Sequence, residues 1–328
     1  MTSRQRFLET MRCGKPDRVP CFEEGLREGV LERWHQEGLP PGAEIVQVFQ
    51  YDRRERIPVD LGLRPSLEKW PASRRDLGEL RRRLDPADPG RLPKDWAESV
   101  RAWRAREHVL ELPIHSGFFL SMGVGDWRRF QEVIYQVADA PALVREMMEI
   151  QGEFAARMAQ SILNEVQVDL ASFSEPVGGN EGPLLSPRLY EDLVLRSYRP
   201  VLEVLRKRNV ETIVFLTYAN ARVLLPCVLR AGFNCLWACE VNVNAMDYGE
   251  LRREFGKDLR LIGGIDLDTL LVSETAVRRE IESKVIPLLA QGGYVPLADG
   301  RVRANVPFRL YACYRRLLEE VARVGRAV

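Results

Sequence analysis

Carboxylates, amides and a phenol recur in this chain wherever a short apolar run gives out. Glu23 and Glu24 follow Val19 to Phe22, Asp60 closes Glu55 to Leu61, and Glu175 and Asn180 follow Val168 to Ser174. Tyr218, Asn220 and Arg222 come after Thr212 to Leu216, Glu240 after Asn234 to Ala238, Asp266 after Leu259 to Ile262, and Asp299 after Gly293 to Leu297. A carboxyl or phenol at such an exit can pass a proton to a bound substrate when its pKa is moved toward neutrality. Amides and guanidinium groups can fix the substrate's polar atoms. Each position also has a plain alternative, a side chain that caps the next helix or pairs with an arginine.

His115, in Leu112-Pro-Ile-His-Ser-Gly-Phe-Phe119, is the one of three histidines placed for chemistry, although a histidine hydrogen-bonded inside a strand wall fits the same position. Cys235 and Cys239 invite a metal reading. Four residues along a straight strand, at about 3.3 Å each, would part them by roughly 13 Å, too far for one ion, so both read as small core residues. The stretch Leu259-Arg-Leu-Ile-Gly-Gly-Ile-Asp266 reads as a buried strand, a glycine pair that permits close approach, and an acid at the carboxyl end. Asp266 there fits either a functional acid or a helix N-cap.

The elements that must position these groups alternate. Residues 3 to 13 read as an amphipathic helix with Phe7, Leu8 and Met11 on one face, and 30 to 51 as helix broken at Pro40-Pro41. Further helices are expected at 126 to 137, at 140 to 164 with Leu143, Met147, Ile150, Phe154, Met158 and Ile162 at helical spacing, from Ser186-Pro187, up to Ala231, at 274 to 290 and at 307 to 324. Eight strands with helix-sized connections predict an α/β fold, a TIM (β/α)8 barrel with an insertion between early strands. The rival doubly wound sheet lacks a Gly-x-Gly-x-x-Gly after the first strand. One domain is expected over 1–328, with 64–110 a peripheral excursion and Arg81-Arg-Arg83 a solvated helix face. In the barrel Glu175, Asn220, Glu240, Asp266 and Asp299 should surround one cavity at the C-terminal face.

With 48 Lys and Arg against 47 Asp and Glu over 328 residues, the chain carries no charge field suited to nucleic acid or membrane. The amino terminus lacks a signal-like apolar core, and no run approaches the ~20 apolar residues of a membrane span. Six scattered cysteines fit a reducing compartment, so a cytoplasmic location is expected.

The segments Lys15-Pro-Asp-Arg-Val-Pro20, Gly182-Pro-Leu-Leu-Ser-Pro187, Ala245-Met-Asp247, Phe255-Gly-Lys257, Leu261-Ile-Gly-Gly-Ile-Asp266 and Gly292-Gly-Tyr-Val-Pro296, with Arg-x-Arg-Phe-Leu near the amino terminus, together resemble the uroporphyrinogen decarboxylase superfamily. The resemblance implies a TIM barrel, often a homodimer. It implies either cofactor-free decarboxylation of a tetrapyrrole, or methyl transfer to or from a corrinoid carrier protein, commonly through a zinc-bound thiolate or an activated oxygen. The decarboxylases carry Arg-Gln-Ala-Gly-Arg after the first strand, where this chain has Phe22-Glu-Glu-Gly-Leu-Arg27. Two acids facing a substrate with eight carboxylates raise its binding cost, and Arg27 offsets part of it. The methyltransferases carry His-x-Cys-Gly after the fifth strand and Asp-His after the eighth; here stand Leu216-Thr-Tyr-Ala219 and Asp299-Gly300, and no histidine follows His115. Their usual zinc site therefore has no ligands, and less than one zinc per chain is expected. By the resemblance Glu240 and Asp266 occupy recurrent positions, Asn220 and Arg222 match a Gly-Asn-x-Arg, and Asp299 keeps the acid of Asp-His.

The leading expectation is a methyltransferase-like enzyme acting on a small polar or corrinoid-linked substrate. Tyr218, Glu240, Asp266 and Asp299 would be catalytic. Glu23, Glu24, Arg27, Asp60, His115, Glu175, Asn180, Asn220 and Arg222 would bind substrate. No cofactor is required by the sequence, and a corrinoid would sit on a partner. Porphyrinogen decarboxylation and a non-catalytic binding barrel are the alternatives.

Overall fold

The structure is a computed structural model that describes residues 1–240 and 245–324. The chain folds as α/β. Its strands of three or more residues, among those described, are β1 (Arg54–Arg56), β2 (Val109–His115), β3 (Leu170–Glu175), β4 (Thr212–Thr217), β5 (Cys235–Ala238), β6 (Arg260–Ile265) and β7 (Tyr294–Ala298). Nearly every residue of β2 to β7 is buried, the pattern of parallel strands covered on both faces. Two compact units divide the chain. One comprises Met1–Arg54, Glu107–Val109 and the described residues from Cys235 on; the other comprises Glu55–Arg106 and Leu110–Asn234.

In the second unit β2, β3 and β4 run parallel, with Glu111 opposite Leu170, Leu170 opposite Thr212 and Glu175 opposite Thr217. The β2 register shifts between Pro113 and His115, beside a proline that has no N–H for the ladder. Asp169 ties the strand starts together: it meets the buried Arg106 guanidinium at 2.9 Å and takes the Leu110 N–H at 2.9 Å. The helix Pro141–Glu165 buries Leu143, Met147, Ile150, Phe154, Met158 and Ile162, as their spacing predicts. It packs on the helix Arg196–Lys207, and Gly152 permits the close approach, since a Cβ there would overlap the Ser197 carbonyl oxygen. Within 64–110 lie short helices at Leu77–Arg83 and Trp96–Arg104, and buried Arg91 ties down the end of the first. Its guanidinium donates to the carbonyls of Asp60, Arg83 and Asp85 and lies 4.6 Å from the centre of the Phe154 ring. Arg81 and Arg82 are exposed and pair with Glu153 and Glu79.

In the first unit β5, β6 and β7 are parallel, with Cys235 opposite Arg260 and Leu261 opposite Tyr294. Tyrosine hydroxyls serve the backbone where these strands end. Tyr248 accepts the Ala238 N–H at 2.9 Å and donates to the Ile262 carbonyl at 2.7 Å. Tyr294 donates to the Gly263 carbonyl at 2.9 Å, and Tyr314 accepts the Ala298 N–H at 3.0 Å. What the Gly263-Gly264 pair admits is the Tyr248 ring: both glycines have positive φ, +99° and +81°, and a Cβ on Gly264 would lie 2.5 Å from that ring.

The first expected strand, Val19 to Phe22, joins no ladder. Side chains satisfy its backbone instead: Asp52 takes the Cys21 N–H at 2.8 Å, Arg18 reaches the Val19 carbonyl at 3.0 Å and Arg315 the Phe22 carbonyl at 3.2 Å. Pairing comes later, as one parallel bridge between Leu26 and Val302. The second expected strand is cut to Arg54–Arg56, beyond which the Asp60 N–H turns to the Arg91 carbonyl. Asp52 is also the hub that pins the amino-terminal helix Ser3–Met11. It is 1% exposed and gathers Arg6 and Arg18, each at 2.5 Å, and Ser3 at 2.9 Å. Among the described residues no helix is long and apolar enough to cross a membrane.

Candidate functional site

In the first unit, β5, β6 and β7 deliver Cys239-Glu240, Asp266 and Asp299 from their carboxyl ends. The Glu240 N–H donates to the Asp299 carbonyl at 2.5 Å, with Glu240 held at a φ of +52° that is uncommon outside glycine. Gly300 makes this contact feasible, because a Cβ there would come within 2.9 Å of Glu240 Cγ. The Glu240 carboxylate pairs with Arg27 at 2.5 Å, both side chains being half-exposed. Asp266 accepts the Asp268 N–H at 2.9 Å and so caps the turn Leu267–Leu271, while its own N–H donates to Glu280 at 3.2 Å.

Asp299 is the electrostatically unusual group of this unit. It is 8% exposed and accepts the Leu267 N–H at 3.1 Å. Burial, followed by the Asp266 and Asp268 carboxylates, pushes its carboxyl up to about 7 against the pull of the Leu267 hydrogen bond and Arg303. Such a carboxyl exchanges its proton near neutral pH. Glu23 has a different environment: Tyr311 donates to it at 2.6 Å and Arg315 at 2.9 Å, which makes it a buried ion pair at the base of the last helix. Glu24 pairs with Arg54 at 2.9 Å, and Arg54 lies 4.4 Å from the centre of the Trp237 ring.

In the second unit Glu175 closes β3 with no exposed surface. It accepts from the Tyr198 hydroxyl at 2.6 Å, the Phe118 N–H at 2.7 Å and the Tyr190 hydroxyl at 2.9 Å. Burial raises its pKa although all three donors lower it. His115 lies beside it, its ring 4.5 Å from that of Tyr198. Its Nδ1 accepts the Gly117 N–H at 3.0 Å, so the proton of the neutral ring sits on Nε2, a buried atom with no hydrogen-bond partner among the described residues. Burial holds this ring down to about 3. Asn180 is exposed in the small hairpin of Gly178–Gly179 and Gly182–Pro183, and the Asn220 N–H donates to Gly179 at 2.9 Å, joining the loops after β3 and β4. Asn220 Oδ1 takes the Arg222 N–H at 3.3 Å, and Tyr218 is exposed. Asp60 pairs with Arg64 at 2.7 Å; burial would raise its pKa, but that pair, the Gly62 N–H and Arg91 bring it below the usual range.

Thus Glu23, Glu24, Arg27, Glu240, Asp266 and Asp299 belong to one unit, and Asp60, His115, Glu175, Asn180, Tyr218, Asn220 and Arg222 to the other. Sequence reasoning missed Tyr190 and Tyr198, the partners of Glu175. Their spacing along one helical run was the available signal, but it is also that of ordinary core residues.

Cys235 and Cys239 are both buried, as expected of core residues. The zinc that the resemblance implies does not fit the donors present: among the described residues no three His, Cys, Asp or Glu side chains are grouped to hold an ion. Burial, followed by Glu24 and Asp299, keeps the Cys239 thiol well above its usual range.

A sequence search of curated proteins returns no match. Among solved structures the fold is similar to that of a methyltransferase from Methanosarcina mazei, with a TM-score of 0.61 and 12% identity over 98% of this chain and 99% of that one. At that identity the likeness concerns the fold. Residues 120–295, more than half of the 328, match the model of the family described as uroporphyrinogen decarboxylase (URO-D). The matched span includes Glu175, Glu240 and Asp266, and the chain belongs to the uroporphyrinogen decarboxylase family.

Proposed function

We propose that the chain is a methyltransferase-like member of this family, built as the family's closed TIM barrel, that acts on a small polar substrate with the Asp299 carboxyl as general acid. The observation that carries this reading is the environment of Asp299, a strand-end carboxyl whose pKa is pushed up to about 7 by burial and by Asp266 and Asp268. Methyl transfer breaks a carbon–heteroatom bond of the substrate, and the methyl group would pass to a nucleophilic acceptor. The heteroatom keeps the electron pair and takes the Asp299 proton, and the carboxylate then regains a proton from water. The acceptor we infer is a corrinoid on a separate carrier protein. Glu240 and Asp266 hold the strand ends around Asp299.

The charge pattern disfavours decarboxylation of a porphyrinogen. Arg27, the one arginine of the segment 22–27, is already paired with Glu240, and Glu23 is held by Arg315. A polyanion would meet acids where it needs unspent cations. The test is a paired anaerobic assay. One arm offers cob(I)alamin with a panel of small O-, N- and S-methylated polar compounds; the other offers uroporphyrinogen. Methylated cobalamin from at least one compound and no coproporphyrinogen is the expected result. Coproporphyrinogen formation without any methyl transfer would overturn the proposal.

A further inference from the structure

The motif Gly292-Gly-Tyr-Val-Pro296 takes no part in the chemistry above, yet its two glycines are shaped around one side chain. Both have positive φ, +74° and +64°; a Cβ on Gly292 would lie 3.4 Å from Cys13 Cβ, and one on Gly293 would lie 2.9 Å from Cys13 Sγ. The same point at Gly293 is 3.6 Å from Arg260 Cγ and 3.7 Å from Arg252 Nη2, so the thiol and two arginines converge there. Cys13 is half-buried and itself sits at a φ of +56° just beyond the helix Ser3–Met11.

Arg252 is the unusual partner. It is 3% exposed, and among the described residues its one hydrogen bond runs from Nη2 to the Gly293 carbonyl at 3.2 Å. Its Nε and Nη1 are buried with no partner among the described residues. Burial lowers its pKa, and the charged or titratable groups that act on it are Cys13, Arg260 and Cys235, with no carboxylate among them. A buried guanidinium without a carboxylate is costly unless an anion or acceptor meets it. Arg260 has less to spare, since its Nε donates to the Met11 carbonyl at 3.1 Å and its Nη1 to the Asp258 carbonyl at 3.2 Å.

We propose that Cys13 is a site of reversible oxidation by hydroperoxides, with Arg252 as the built-in partner of the oxidised sulfur. The Cys13 sulfur attacks one peroxide oxygen, forming an S–O bond as the O–O bond breaks. The departing oxygen takes the thiol proton and leaves as water or an alcohol. Sulfur is oxidised by two electrons and the peroxide is reduced by two. The sulfenate oxygen then accepts from the idle Nη1 or Nε of Arg252, which stabilises the product, and a small thiol restores the starting state through a mixed disulfide.

The test uses an internal control. Cys313 is also half-buried; burial and then Glu274 raise its pKa while Arg278, Arg309 and Arg316 lower it, so it has cations nearby, but among the described residues no buried, unpartnered guanidinium like that of Arg252 lies beside it. The full chain is treated with hydrogen peroxide in the presence of dimedone, and labelling of each cysteine is followed by peptide mass spectrometry. Labelling of Cys13 is expected to be at least ~10-fold faster than that of Cys313, because the idle donors of Arg252 would stabilise its sulfenate. Equal or faster labelling of Cys313 in the wild-type protein would overturn the proposal, and this comparison needs no variant to fold. In a folded Arg252→Gln protein, Cys13 labelling should fall about 5-fold or more with Cys313 unchanged; an unchanged Cys13 rate would count equally against it.

Discussion

At the scale of residues, Asp299 separates a functional reading from a structural one, because its pKa has a consequence for stability as well as for rate. Its carboxyl ionises near 7 in the fold against an ordinary value of 3.8. A group whose folded pKa is raised contributes stability below its unfolded pKa, and that contribution is lost as pH rises through the folded value. At about 1.4 kcal/mol per unit, Asp299→Asn should stabilise the protein by a few kcal/mol at pH 8 and by almost nothing at pH 4, as read by urea unfolding. Equal effects at both pH values would mean that Asp299 ionises normally. The acid's position was legible in the sequence from the strand it follows. Its environment was not, because burial and the contribution of Asp268 depend on how the loop folds back. Glu23 makes the same point: Tyr311 and Arg315, 288 and 292 residues further along, convert an apparent substrate contact into an internal ion pair.

At the scale of elements, the strand ends of the first unit rest on tyrosine hydroxyls. Tyr248→Phe removes an acceptor for Ala238 and a donor to Ile262 at a buried position. It should cost about 1 to 3 kcal/mol of stability by chemical denaturation, and a loss below 0.5 would show that the backbone finds other partners. Gly264→Ala should be worse tolerated, since it adds a positive-φ penalty to overlap with the Tyr248 ring. The later strands were legible because continuous apolar runs bounded by glycine or polar residues have few other solutions in an α/β chain. Val19 to Phe22 misled because its apolar pattern is that of a strand, while the groups that satisfy its backbone, Asp52 and Arg315, come from elsewhere.

At the scale of the whole molecule, family membership and an α/β fold account for how much of the sequence is given to scaffold. Arg6, Asp17 and Arg18 lie in amino-terminal segments that carry the family resemblance, and the structure uses them in an ion network around Asp52. Arginine raises no alarm about structure when read along a chain, yet here it closes the fold. Asp52→Ala would leave Arg6 and Arg18 without that buried carboxylate and should cost about 3 to 5 kcal/mol by denaturation; a near-neutral variant would contradict the network's role. The central claim is that Asp299 gives up its proton in the reaction, and the pH dependence of methyl transfer to cob(I)alamin tests it most directly. The wild-type rate should fall as pH rises through about 7, and Asp299→Asn should lose roughly 100-fold or more with no inflection left. A variant that keeps the wild-type rate and the same pH profile would contradict the account.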